Sequence, residues 1–156
     1  MNTALIHHEI TLTYPDGFCQ MTRAQLERYF VSSQNRWGAL DEKRHVLLSV
    51  SWSNPGFLLY LTDAKAISRG GEARMKRSLP DYTRLASYTL DVAGCRAACS
   101  RYRFTAINKP VSQTGEMIVF KKKKNQYYVI DFVTRGEDFK TFWPLLDEVI
   151  RSVSMI

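Results

Sequence analysis

Gly115-Glu116-Met117-Ile118-Val119-Phe120 and Tyr127-Tyr128-Val129-Ile130-Asp131-Phe132-Val133 read as two strands, joined by a turn that holds lysines 121 to 124. Phe139, Phe142, Trp143, Leu146, Val149, Ile150 and Val153 then recur at helical spacing, which predicts a one-sided helix closing the chain. Proline is accepted in the first turn of a helix, so Pro144 places the regular helix from about Thr141. Tyr128, Ile130 and Phe132 line one face of the last strand, while Val129 and Val133 make the other face apolar too. Such a strand is central and covered on both sides. The expectation is an α/β (α+β) fold: an α/β/α sandwich whose mainly antiparallel sheet of about six strands is flanked by helices.

Upstream, Ala86, Tyr88, Leu90 and Val92 begin a run of four strands, with a turn at Gly94. In the next strand Ala98, Tyr102 and Phe104 face one way, and Cys99, Arg101 and Arg103 the other. Asn108-Lys109-Pro110 opens a loop. Pro80 ends a long helix capped by Thr62 or Asp63, with Ala64, Ile67, Gly71, Met75 and Leu79 on one side. Gly70-Gly71 weakens that helix by about 1 kcal/mol per glycine, which implies a kink or close contact with the sheet. Phe57 to Leu61 suits either a short strand or an apolar lead into the helix.

Val46, Leu48, Val50 and Trp52 alternate as a strand that stops at Ser53-Asn54-Pro55-Gly56. Residues 32 to 44 read as polar and irregular. Thr22-Arg23-Ala24-Gln25 has capping-box form, with Leu26, Tyr29 and Phe30 on the buried side of a short helix. Ile6, His8, Ile10, Leu12 and Tyr14 alternate as one half-buried strand, closed by the turn Pro15-Asp16-Gly17.

The 156 residues, 45% hydrophobic and 12% aromatic, suit a single domain over residues 1–156 with a full apolar core. No apolar run approaches the roughly 20 residues that span a bilayer. The stretch Met1 to Glu9 lacks the pattern of a secretory signal, which points to the cytoplasm. Cys19, Cys95 and Cys99 read as reduced thiols, and the Cys95/Cys99 spacing lacks a second pair for zinc. Neither a metal nor a cofactor is expected. The net charge of +7 comes from one region: Val92 to Gln126 holds eight basic residues against Glu116, and the remainder balances at fourteen of each sign. A localised positive field attracts anionic partners.

The words Pro15-Asp16-Gly17-Phe18, His45 to Trp52, Tyr82, and Val92-Ala93-Gly94 before the Tyr102 strand occur in a distinctive order. Together with Tyr127 to Phe132, Phe142 and Ile150-Arg151-Ser152, they resemble the PsbP/Mog-type superfamily and its small uncharacterised bacterial members. The resemblance covers nearly the whole chain and implies the sandwich fold described above. It also implies a non-enzymatic role. Members include extrinsic photosystem subunits, a Ran-binding import factor and Eag-type chaperones for apolar effector segments. The superfamily has no shared catalytic residue to carry over, and a fold does not name a function.

The chain has no phosphate-binding glycine loop, nucleophile elbow or metalloprotease helix. His7 and His8, adjacent in a strand, would point to opposite faces, and His45 stands apart. Cys19 with a histidine is the one enzymatic alternative. The expected partner-binding residues are Arg101, Arg103, Lys121, Lys122, Lys123 and Lys124, with Lys65, Arg69 and Lys76 forming a second basic ridge on the long helix. The plain alternative for the lysines is solubility and protection of a strand edge. Nucleic acid or another anion stays open as a partner through phosphate-type contacts, although no aromatic interleaving marks a nucleic-acid surface. The resulting reading is a non-catalytic protein-binding or adaptor module for another protein, an acidic one if the basic surface is used. An Eag-like chaperone using an apolar groove at Phe57 to Leu61 is the alternative.

Overall fold

A computed structural model describes residues 1–53, 62–123 and 126–156, and the side chain of Lys123 lies outside that description. Phe57 to Leu61 and Lys124 therefore fall outside the described residues. The elements are β1 (Asn2–Ile6), β2 (Ile10–Tyr14), β3 (Cys19–Gln20), α1 (Arg23–Tyr29), β4 (Arg36–Asp41), β5 (Val46–Ser53) and α2 (Ala64–Ser78). They continue with β6 (Thr83–Val92), β7 (Cys95–Thr105), β8 (Ser112–Lys123), β9 (Gln126–Arg135), a 3-10 turn at Gly136–Asp138, α3 (Phe139–Ser152) and β10 (Ser154–Met155).

Among the described residues, seven strands form the main sheet in the order β3-β4-β5-β9-β8-β7-β6, and β1-β2-β10 form a second, three-stranded one. Every pairing among the described residues is antiparallel. The α+β class stands, with seven strands in the main sheet instead of about six. The two stretches quoted at the outset are β8 and β9, paired Glu116 with Phe132 and Ile118 with Ile130. The doubly apolar β9 lies between β5 and β8, central as its composition demands.

Three local readings change. Residues 6 to 14 are not one strand but a hairpin, because His7 and His8 take positive φ (52° and 54°) and Glu9 N–H returns to the Ile6 carbonyl at 3.1 Å. Two consecutive positive φ values reverse the chain within a three-residue connection, His7 to Glu9, between the paired Ile6 and Ile10, and histidine is among the non-glycine residues that tolerate that region. The two histidines are therefore turn residues. Residues 36 to 41 are the strand β4, in which Trp37 to Asp41 are all buried. A strand covered on both faces shows no alternation, which is why it reads as irregular. Finally, α3 starts at Phe139, so Pro144 sits inside the helix and forgoes one backbone bond there.

Elsewhere the local chemistry acts as written. Thr22 and Gln25 form the capping box of α1. Asp63 caps α2 by accepting the Ala66 N–H at 2.8 Å. A Cβ on Gly71 would stand 3.1 Å from the Met117 sulfur, so this glycine lets α2 approach β8 closely.

One face of the main sheet is covered by α3 and the three-stranded sheet. Val46, Leu48, Val50, Ile118, Phe120, Tyr128, Ile130 and Phe132 meet Ile6, Ile10, Leu12, Leu146, Val149 and Ile150 in one continuous cluster. Phe142 and Trp143, expected in the buried stripe, are half-buried at its margin. The hairpin β1-β2 is clasped to this face. His7 stacks on Trp52 at 5.0 Å, and Tyr128 Oη donates to Glu9 Oε2 at 2.6 Å. Lys122 Nζ donates to the Glu9 carbonyl at 3.1 Å. The other face is covered by α2 over β7 and β8, through Ile67, Tyr102, Met117 and Val119, and by α1 through Met21, Leu26 and Leu40.

Candidate partner-binding surface

Strand alternation puts Arg101 and Arg103 on one face of β7, but their surroundings differ. Arg103 is exposed. Arg101 Nε donates to Glu116 Oε2 at 2.9 Å, and its guanidinium lies 4.8 Å from the Phe139 ring and 4.7 Å from the Trp143 ring. Glu116 is fully buried, and its other oxygen accepts the Tyr88 hydroxyl. Burial raises the Glu116 carboxyl, while Tyr88 and Arg101 pull it back. Burial, followed by the charge of Glu116, pushes the neighbouring Cys99 thiol up to about 12. A thiol so held is inert at neutral pH.

The lysine run begins at the far end of β8. Glu116, opposite Arg101, is five residues from Lys121, about 17 Å at 3.4 Å per residue. Lys121 Nζ donates to the Thr62 carbonyl at 2.7 Å on the α2 side. Lys122 binds Glu9 on the opposite face. The expected set is thus divided between two ends of β8, and Arg101, Lys121 and Lys122 hold partners within the fold.

The basic ridge of α2 is placed differently. Lys65, Arg69, Glu72 and Lys76 recur at helical spacing along one flank. Glu72 shows where that flank points: its Oε1 accepts the Ser100 hydroxyl of β7, and Oε2 lies 3.4 Å from Arg84 of β6. Lys65, Arg69 and Lys76 are exposed, so three cations line the side of α2 nearest β6. Glu72 is held by Ser100 and Arg84, and among the described residues Lys65, Arg69 and Lys76 form no ion pair, so the flank is net positive.

Strand β6 ends the main sheet. Among the described residues no strand pairs with its outer edge. It is ten residues long, whereas β3 at the other end has two. A register shift between Arg84 and Ala86 bulges the strand at Leu85, after which Ala86 to Val92 pair regularly with β7. Thr83, Arg84, Leu85, Ser87, Thr89 and Asp91 are exposed. This edge and the ridge beside it are the surface that sequence reasoning did not assemble. The ridge was visible as spacing, but its position beside an open edge depends on strand order.

The thiol and histidine candidates lie elsewhere. Cys19 is exposed on β3, beside an open depression of about 710 Å³ lined also by Gly17, Gln25, Asp41, Lys43 and Arg44. There Asp41 accepts Arg44 Nε at 2.6 Å. Burial would raise the Asp41 carboxyl, but hydrogen bonds from Arg44 outweigh it and hold the group below its usual range. His45 follows in the turn before β5 with φ 56°. Among the described residues, no group of three His, Cys, Asp or Glu is arranged to hold a metal ion.

Sequence reasoning also missed a polar site under α2. Asp131 of β9 sits opposite Ser49 of β5, with its Oδ1 shielded from solvent and without a hydrogen-bond partner. Burial lifts its carboxyl to about 6, against the opposing pull of Arg36 and of the Tyr102 hydroxyl. Arg36 donates to Ser49 Oγ at 3.2 Å and lies over the Phe30 ring at 4.0 Å. An aspartate inside an otherwise apolar strand was the available signal.

No family model matches the sequence, and no curated protein matches it. Solved structures do. The Ran-binding protein Mog1p of Saccharomyces cerevisiae aligns with a TM-score of 0.63 at 14% identity, over 98% of this chain and 95% of its own. Cyanobacterial PsbP from Synechocystis aligns at 0.62 and 17%, over 94% and 86%. LpqN of Mycobacterium tuberculosis, involved in cell envelope biogenesis, aligns at 0.63 and 10%, over 94% and 82%. The fold is of the PsbP/Mog type. No helix among the described residues is long and apolar enough to cross a membrane.

Proposed function

We propose that residues 1–156 act as one non-catalytic protein-binding or adaptor module, with its contact surface on the basic side of α2 and β6. One observation carries this reading: Lys65, Arg69 and Lys76 form an exposed basic ridge beside an edge of the sheet that no strand among the described residues covers. Fixed positive charge of this kind speeds association with acidic partners and selects among them. A PsbP/Mog-type fold that is described as Ran-binding in yeast supports the same class of role. Arg103 adds an exposed cation on the opposite face. Arg101, Lys121 and Lys122 contribute through the internal partners they hold, and Lys123 and Lys124 extend the second basic area.

The test is a comparison of partners captured by the wild type and by a Lys65→Gln, Arg69→Gln, Lys76→Gln variant, at low and high salt. The triple variant should lose the partners that salt also displaces, because exposed charges are screened over about 10 Å at 0.1 M. Recovery of the same partners in the same amounts by the triple variant overturns the assignment of this surface.

A further inference from the structure

Resting on the protein-binding reading, we infer that the partner adds an extended strand to the outer edge of β6, with acidic residues alternating with apolar ones. The outer edge of β6 has no strand partner among the described residues, and seven residues beyond the bulge, Ala86 to Val92, keep regular geometry. Every second residue of such a strand directs its N–H and C=O outward, where an incoming backbone can pair with them. Natural edges are blunted by devices such as lysine, proline or a bulge, and beyond the bulge at Leu85 the stretch Ala86 to Val92 contains neither lysine nor proline.

The two faces of β6 specify the incoming side chains. Ala86, Tyr88 and Leu90 are half-buried, and Tyr88 and Leu90 pack at the margin of the main core. A neighbouring strand's side chains on that face would extend the apolar surface. Ser87 and Thr89 lie on the other face, the face of Ser100, which Glu72 of α2 binds. Side chains of the added strand on that face come within reach of Lys65, Arg69 and Lys76. Acids on β6 and α2 do not compete, since Glu72 is held by Ser100 and Arg84, and Asp91 by Arg96 at 3.3 Å. One face selects apolar residues and the other selects acids, so the period is two.

A capped ten-residue peptide alternating glutamate and valine, with a lysine-valine counterpart, tests this by titration and amide hydrogen exchange. The glutamate peptide should bind, should weaken with salt, and should slow exchange at alternate amides of Ala86 to Val92. The lysine peptide should not bind. Thr89→Pro and Leu90→Pro are then compared. Of two neighbours, one sends its N–H away from β7, and the variant that keeps its melting temperature should lose the peptide. Should neither fold, reversal of charge with Lys65→Glu, Arg69→Glu and Lys76→Glu serves, and should abolish binding of the glutamate peptide.

Binding that protects amides outside β6, or that survives the folded proline variant, overturns the strand-addition proposal and leaves the protein-binding reading standing. Equal binding of both peptides, or of neither, overturns the proposal as well. Concentration-dependent dimers that protect β6 without peptide would give the edge to a second copy of the chain and overturn it too.

Discussion

The face of the main sheet under α3 and the face under α2 come from the same strands, one residue out of phase. Under α3, alternate residues along the middle of β5, β8 and β9 are large and apolar, Thr114 and Thr134 are buried at one end, and the buried carboxylate, Glu116, is bonded to Tyr88 and Arg101. Under α2, the same strands present Ser49, Asp131 and Met117. Asp131 keeps one oxygen shielded and unpaired. The first face is closed by transfer of apolar surface from water. The second keeps a carboxylate oxygen shielded without a hydrogen-bond partner, and its helix carries the exposed cations. Stability therefore concentrates on one face and the proposed interaction chemistry on the other.

This contrast breaks first at Phe132, which is fully buried between β5 and β8. Phe132→Ala should cost roughly 3–5 kcal/mol, read from urea unfolding. A cost under about 1 kcal/mol would mean that the α3 face is not the principal core. Arg101→Ala comes next. It strands the carboxylate of Glu116, and loss of one partner from a buried pair costs roughly 3–5 kcal/mol. Arg101 is 30% exposed, so about 2–3 kcal/mol is expected after allowance for solvent. Adding Glu116→Gln to that variant should restore part of the loss, because no buried charge then remains. An additive double mutant would show that the pair is not coupled.

Asp131 should reverse the sign. Its carboxyl is lifted from 3.8 to about 6, so the folded state holds a proton that the unfolded state releases. That contribution to stability is complete below about pH 4 and is lost as pH rises through 6. Asp131→Asn should remove this slope and, at pH 7, stabilise the protein by up to about 3 kcal/mol. Parallel pH profiles for wild type and variant would show that the carboxyl is not penalised, and the two faces would then differ less than their composition implies.

The legible parts were those in which a residue's own neighbours decide its conformation. The capping box at Thr22, the Asp63 cap, the alternation of β5 and the doubly apolar β9 were of this kind. Residues 36 to 41 were opaque because burial on both faces erases alternation. The His7-His8 turn was opaque because Ile6 and Ile10 keep period two straight through it. Of the candidate surface, the spacing of Lys65, Arg69 and Lys76 was readable. That these cations flank an edge with no partner strand among the described residues was not, since β6 is outermost only after β9 inserts between β5 and β8. Adjacency in sequence suggested a compact patch from Arg101 to Lys124, but a long strand separates what it carries at its two ends.

The smallest effect sharpens the comparison most, because it separates cations that serve the fold from cations left free of it. Lys122 reaches the Glu9 carbonyl and lies 3.8 Å from its carboxylate, clasping the β1-β2 hairpin to the sheet. Lys122→Gln should cost about 1 kcal/mol, the usual worth of a hydrogen bond at a partly buried site. Lys65, Arg69 and Lys76 are exposed on α2, and replacing all three by glutamine should change stability by no more than about 0.5 kcal/mol. Glutamine keeps the stem and the helix propensity, so charge alone is removed. Thermal melts of the two variants at low and high salt read the difference directly. If the triple variant loses as much stability as Lys122→Gln, the ridge belongs to the fold, and its charge can no longer be assigned to a partner.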